Sequence, residues 1–129
     1  MARIVVQLAR MMLATRTPHP LSHHASFRAV LAAAAPLAEL VFRIKKRPEA
    51  TDLVATLAVA CGDLADGFAA PPSSRRRLRA HQRAWVAVRD IDRAVVSAGK
   101  QRLAPVDVVQ RAQRAIDRAD VLIGALLPT

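Results

Sequence analysis

The chain contains no tyrosine and no asparagine, one cysteine, one tryptophan and four glycines, and 3% of its 129 residues are aromatic. So few turn residues and aromatic side chains exclude a β-sandwich or barrel, whose strands and many turns draw on both. The lone Cys61 has no partner for an intramolecular disulfide and cannot build a cysteine-based zinc site; a reducing cytoplasm fits this usage. Acids are scarce as well: ten Asp and Glu stand against 20 Lys and Arg, for a formal net charge of +10. No stretch approaches the ~18 apolar residues of a transmembrane helix, and no membrane partner is expected. Gln7 and Arg10 interrupt the apolar start, and no small-residue cleavage site follows, so no cleavable leader is read.

What is present is alanine, 27 residues, with 17 Arg, 14 Leu and 14 Val in a chain that is 53% hydrophobic. That content forms a core and excludes disorder, although an Ala-rich core is thin per residue. The length is that of one domain. Prolines at 18, 20, 48, 71, 72, 105 and 128 fall between periodic segments, where proline is tolerated. Pro36 is the exception, and should kink a helix or mark its start.

Four amphipathic helices are predicted. The first runs from about Ser26 to Arg47, capped by Ser22 or Ser26, with Phe27, Val30, Leu31, Leu37, Leu40, Val41 and Ile44 inward. The second spans about Pro48 to Ala69, with Leu53, Leu57, Ala60, Leu64 and Phe68 as its stripe, Thr51 or the Glu49–Asp52 turn as cap, and Gly67 near its end. The third, Arg75 to Ala98, follows a Ser73 or Ser74 cap, buries Leu78, His81, Trp85, Val88, Ile91 and Val95, and stops at Gly99. The fourth, Pro105 to Leu127, buries Val109, Ala112, Ile116, Ala119, Ile123 and Leu126 and carries an Asp107–Arg111 pair. Short connections make this an all-α, antiparallel up-down four-helix bundle over residues 26–129, preceded by a partly irregular extension, 1–25.

Charge is segregated along the chain. Residues 1–48 carry +7, 49–70 carry −4, 71–103 carry +7 and 104–129 balance. The choice of Arg over Lys matches GC-rich codon usage, but net charge does not depend on it. Arg75, Arg76, Arg77, Arg79 and Arg83 crowd a helix start, where the macrodipole favours acids, so bound phosphates would relieve the placement. These five are the first choice for nucleic-acid contacts. Arg43, Lys45, Lys46 and Arg47 come second, then Arg89 and Arg93, which can instead serve internal ion pairs, since Asp90 and Asp92 are expected to pair with Arg89, Arg93 or the arginines of the fourth helix. No aromatics interleave with the arginines in sequence, which favours backbone recognition over base stacking.

Other constellations carry less. His19, His23 and His24 have metal-ligand spacing, but Pro18 and Pro20 make the segment irregular and no Cys or acid is near; surface histidines without a metal are expected. Asp63 and Asp66 share a helix face and fit capping or a subunit contact. No Gly-rich phosphate loop or nucleophile–base motif occurs, so no catalytic residue or cofactor is assigned. Arg76 and His81 resemble the Arg–spacer–His pattern of HEPN ribonucleases, which act without metal. That enzyme reading requires His81 to face solvent beside Arg76, whereas its place on the apolar stripe makes it a core histidine.

Residues 36–127 resemble a group of four-helix-bundle proteins. These are the proteins encoded in bacterial 23S rRNA intervening sequences and their relative, the accessory variability determinant of diversity-generating retroelements. The resemblance rests on Ala60-Cys-Gly-Asp-Leu-Ala-Asp-Gly-Phe68, the Ser/basic start at 73–77, Ala87-Val-Arg-Asp-Ile-Asp92 and Leu103-Ala-Pro-Val-Asp-Val108. It implies a non-catalytic adaptor: a basic, barrel-like homopentamer that binds its retroelement's reverse transcriptase together with RNA and cDNA during mutagenic retrohoming. A stand-alone RNA-binding bundle of the rRNA-intervening-sequence type is the alternative.

Overall fold

The structure, a computed structural model, describes residues 20–44 and 53–128. It is all-helical, with no strand among the described residues. A short 3-10 turn, Pro20–His23, leads into α1 (Ala25–Arg43), followed by α2 (Leu53–Ala69), α3 (Arg75–Lys100) and α4 (Val106–Gly124). Helices α1 and α3 each pack against both α2 and α4, so the apolar faces meet in one core. Leu37, Leu40, Leu57, Leu64, Ile91, Ile116 and Ile123 are fully buried there. Ala33, Ala60, Ala84, Ala112 and Ala119 lie between them with almost no exposure, small enough for neighbouring helices to approach closely.

Ser74 caps α3, its hydroxyl accepting the Arg77 N–H at 3.2 Å. The preceding turn closes through the Ser74 N–H and the Pro71 carbonyl, with Ser73 left-handed at φ 63°. Gly99 does not stop α3. It remains helical, and Arg102 takes the left-handed position at φ 55°. The Leu103 N–H then reaches the Ala98 carbonyl and the Arg102 N–H the Gly99 carbonyl, a Schellman closure with arginine where glycine is usual.

Neither Ser22 nor Ser26 caps α1. His24 holds the cap position in extended backbone without a side-chain cap bond, while Ser26 is buried at the second helical position and its hydroxyl has no partner among the described residues. Pro36 neither starts nor ends α1 but lies within it, leaving the Ala32 carbonyl without its helical donor on an exposed side. The expected Thr51, Glu49 and Asp52 cap of α2 lies outside the described residues.

In α4, Pro105 is the N-cap, and Val108 is fully buried while Val109 is half-buried. Spacing of four, four, three and four from Val108 to Ile123 keeps one face inward, and Leu126, beyond the helix end, is exposed. Mean hydropathy adds a further correction. With a mean of 1.5 over an 18-residue window, α1 is long and apolar enough to cross a membrane, although Arg28 and Glu39 interrupt it. Eight of its residues are buried within the protein.

Candidate nucleic-acid interface

The proposed contacts divide by what surrounds them. Arg75, Arg76 and Arg79 are exposed and have no ion-pair partner among the described residues. On a helical wheel Arg76, Arg79 and Arg83 fall within about 60° of one another, so they form a stripe along α3. No acid occupies the first turn of that helix. Unneutralised cations therefore sit at the positive end of the longest helix.

Arg83 belongs to the stripe but is engaged, its Nε donating to Asp63 of α2 at 3.3 Å. Asp63 thus pairs within the chain, while Asp66 is exposed. Arg77 is half-buried, with its guanidinium 5.3 Å from the centre of the Phe68 ring. Arg93 pairs with Asp90 at 3.6 Å, and Arg89 lies 4.7 Å from the Trp85 ring centre. Asp92 pairs with no arginine among the described residues; it accepts from Gln113 of α4. Asp107 and Arg111 pair at 3.5 Å as expected, and Arg111 also reaches Glu39 of α1 at 3.0 Å. Arg43 is exposed at the end of α1, whereas Lys45, Lys46 and Arg47 lie outside the described residues.

Beside this stripe the structure assembles a ring cluster that the linear sequence conceals. His24 stacks on Phe68, with centroids 3.6 Å apart and planes 8° from parallel, and His81 tilts against the same ring at 4.8 Å. His81 is 4% exposed; it does not face solvent beside Arg76, as the ribonuclease reading required. Its Cδ2–Nε2 edge fills the space where a side chain at position 67 would project, and Nε2 has no hydrogen-bond partner. Burial, followed by the charges of Arg77, His23 and Arg28, holds His24 below the usual histidine value. Burial, followed by Arg77 and His24, does the same for His81.

Sequence periodicity placed Phe68 and His81 on inward stripes. Nothing in the sequence brought His24 to them, and its expected role as an incidental surface histidine is corrected. Aromatic rings therefore do stand next to the arginines, supplied by α2 and the start of α1.

A second feature lies on the opposite flank of the stripe. An open groove of about 740 Å3 runs between α2 and α3, floored by Val59, Val86 and Ala87 and edged by Asp63, Arg79, Arg83 and Asp90. Val59 and Val86 are 59% and 55% exposed and lie together on this floor. Cys61 is buried in the core, where desolvation pushes its thiol up to about 12 and leaves it unreactive. No three His, Cys, Asp or Glu side chains gather to hold a metal among the described residues; His19 lies outside them, and His23 is exposed. Comparison with known proteins finds no family model, no curated protein and no solved structure that matches the chain.

Proposed function

We propose that this protein is a non-catalytic, basic helical adaptor. It binds RNA phosphates along the start of α3 and assembles into a homo-oligomer that docks a reverse transcriptase, as the resemblance to the accessory variability determinant implies. The observation that carries the RNA reading is the trio Arg75, Arg76 and Arg79, exposed, unpaired among the described residues and set against the helix dipole. Such a placement disfavours the isolated bundle and favours a bound polyanion. The free, buried Cys61 agrees with a reducing cytoplasm.

The bundle is read as antiparallel and up-down. Support comes from contacts whose numbers rise along one helix as they fall along the next. On α2 and α3 these are Asp63 with Arg83, and Gly67 with His81. On α3 and α4 they are Trp85 with Gly124, Asp92 with Gln113, and Gly99 with Val109. Five-residue connections at 70–74 and 101–105 suit this order.

The oligomer reading is supported by the exposed valine groove beside the acidic second helix, a surface that a copy of the basic chain complements. Five copies at +10 would carry about fifty positive charges, enough to concentrate RNA and its cDNA at the assembly. A stand-alone rRNA-intervening-sequence-type bundle would share the RNA stripe without the reverse transcriptase. Mass measurement after co-expression with such an enzyme separates the two.

The direct test replaces Arg75, Arg76 and Arg79 together with Glu and measures RNA affinity against salt. The log–log slope should lose about two to three units of steepness and affinity should fall at every sequence alike. An unchanged slope overturns the assignment.

A further inference from the structure

Two chains that each carry +10 meet at least cost where charge cancels locally. The groove between α2 and α3 is such a place, because Asp63 and Asp90 stand there with Arg79 and Arg83 around the exposed Val59 and Val86. On the other side of Gln82 and Val86, an uncharged hollow of about 620 Å3 continues the patch, walled by Trp85, Leu127 and Pro128. The ridge of α3 thus stands between two hollows, as a ridge that enters the groove of a neighbouring helix must.

The ridge also has the spacing of a helix-pairing seam. Arg79, Gln82, Val86, Asp90 and Arg93 are all exposed and follow one another at steps of three and four residues. They lie within about 80° of one another on a helical wheel. An in-register parallel copy would set Arg79 against Arg79 and Asp90 against Asp90. An antiparallel copy, with a two-fold axis between positions 84 and 85, instead brings Arg79 level with the partner subunit's Asp90, and does so twice. The two Val86 side chains are then offset by only about 4.5 Å along the helices. The pair that Asp90 makes with Arg93, at 3.6 Å, is exposed on both sides and weak, so it does not compete with a second arginine. Arg83 keeps Asp63, and its aliphatic stem covers the valine that comes level with it.

We propose that the α2–α3 groove is a two-fold interface, in which the α3 ridge of a second copy lies antiparallel and two Arg79–Asp90 pairs close over the buried valines. One patch carrying both signs in this order is self-complementary, the condition for such a contact. The proposal rests on the homo-oligomer reading above and gives this face its symmetry and its pairing. Arg75 and Arg76 stay outside the groove, available to RNA phosphates.

Sedimentation of the full chain, cleared of nucleic acid, tests it. The parent should run as two chains. Arg79→Asp and Asp90→Arg should each weaken pairing by about a hundredfold, roughly tenfold at each of two equivalent contacts, and run as one chain where the parent pairs. Mixing these two variants should restore a species of two chains, one of each, in native mass spectrometry, because both contacts then join opposite charges. The double variant Arg79→Asp/Asp90→Arg should pair with itself for the same reason. Arg75→Asp, outside the groove, should pair as the parent does. Thermal melts confirm that the variants remain folded.

The proposal is overturned if Arg79→Asp associates as tightly as the parent, or if the mixture stays as single chains. A parent mass of one chain at all concentrations overturns it together with the homo-oligomer reading. A larger parent mass that neither single variant lowers overturns the two-fold contact alone and leaves the homo-oligomer standing.

Discussion

At the scale of single residues, the contact between Gly67 and His81 shows how one missing side chain makes room for a buried ring. The His81 ring lies where a Cβ at position 67 would be, so only glycine admits it. Gly67→Ala should therefore destabilise the protein by about 1–3 kcal/mol despite alanine's better helix propensity, as denaturant midpoints would read. The same cluster predicts a response to pH. His24 and His81 both titrate below their usual 6.5 in the folded protein, so the unfolded chain binds more protons in the interval beneath that value. Their neutral forms contribute full stability above pH 6.5, and this is lost as pH falls from there toward the folded values. Melting temperatures taken across this range should fall with acid. His24→Phe, which keeps a ring on Phe68 but cannot titrate, should flatten the decline. A decline of equal steepness in that variant would remove His24 as its source.

At the scale of elements, the helix ends carry strain that substitutions can relieve. Arg102 closes α3 in the left-handed region at φ 55°, a conformation that costs a side chain about 1 kcal/mol. Arg102→Gly should recover roughly that amount, though glycine's larger unfolded entropy reduces the gain. Gly62 is the opposite case. It lies inside α2 with nothing within 4 Å of a Cβ placed there, so Gly62→Ala should stabilise by about 0.5–1 kcal/mol. Chemical denaturation of the two variants reads both effects, and a loss of stability in Gly62→Ala would mean that α2 is covered there by a partner. Residue type alone pointed to Gly99 as the helix stop, but Leu103 packs against the core, and its closure onto Ala98 carries the helix past the glycine.

At the scale of the whole molecule, the groove between α2 and α3 is where the proposed assembly can be tested. Val59 and Val86 are exposed side by side with a pair of acids and a pair of arginines around them, a surface built of both signs. An interface there would bury the valines and match those charges between copies. Replacing both valines with Glu should leave helicity intact, because neither side chain enters the core, and should lower the native mass to that of one chain in light scattering. An unchanged mass would locate any assembly contact elsewhere. The positive stripe of α3 shares Arg79 and Arg83 with this groove, whereas Arg75 and Arg76 lie outside it.

Composition and period alone determined that the protein is helical, that four apolar stripes exist, and that Leu57, Leu64, Val88, Ile91, Ile116 and Ile123 are inside. These follow from a repeat near 3.6 residues, which is local and survives without knowledge of the neighbours. The clustering of arginines at 75–83 was equally legible, because charge is additive along a segment. Tertiary structure decided which of those arginines are free and which are engaged: Arg83 meets Asp63 twenty residues away, and Arg77 meets Phe68. It also decided that Val108 rather than Val109 is fully buried, since the rotation of α4 answers to α1 and α3 and not to its own sequence. The ring cluster of His24, Phe68 and His81 was invisible in sequence for the same reason. Its members come from three elements, and periodicity ranks the faces of each helix without saying which faces meet.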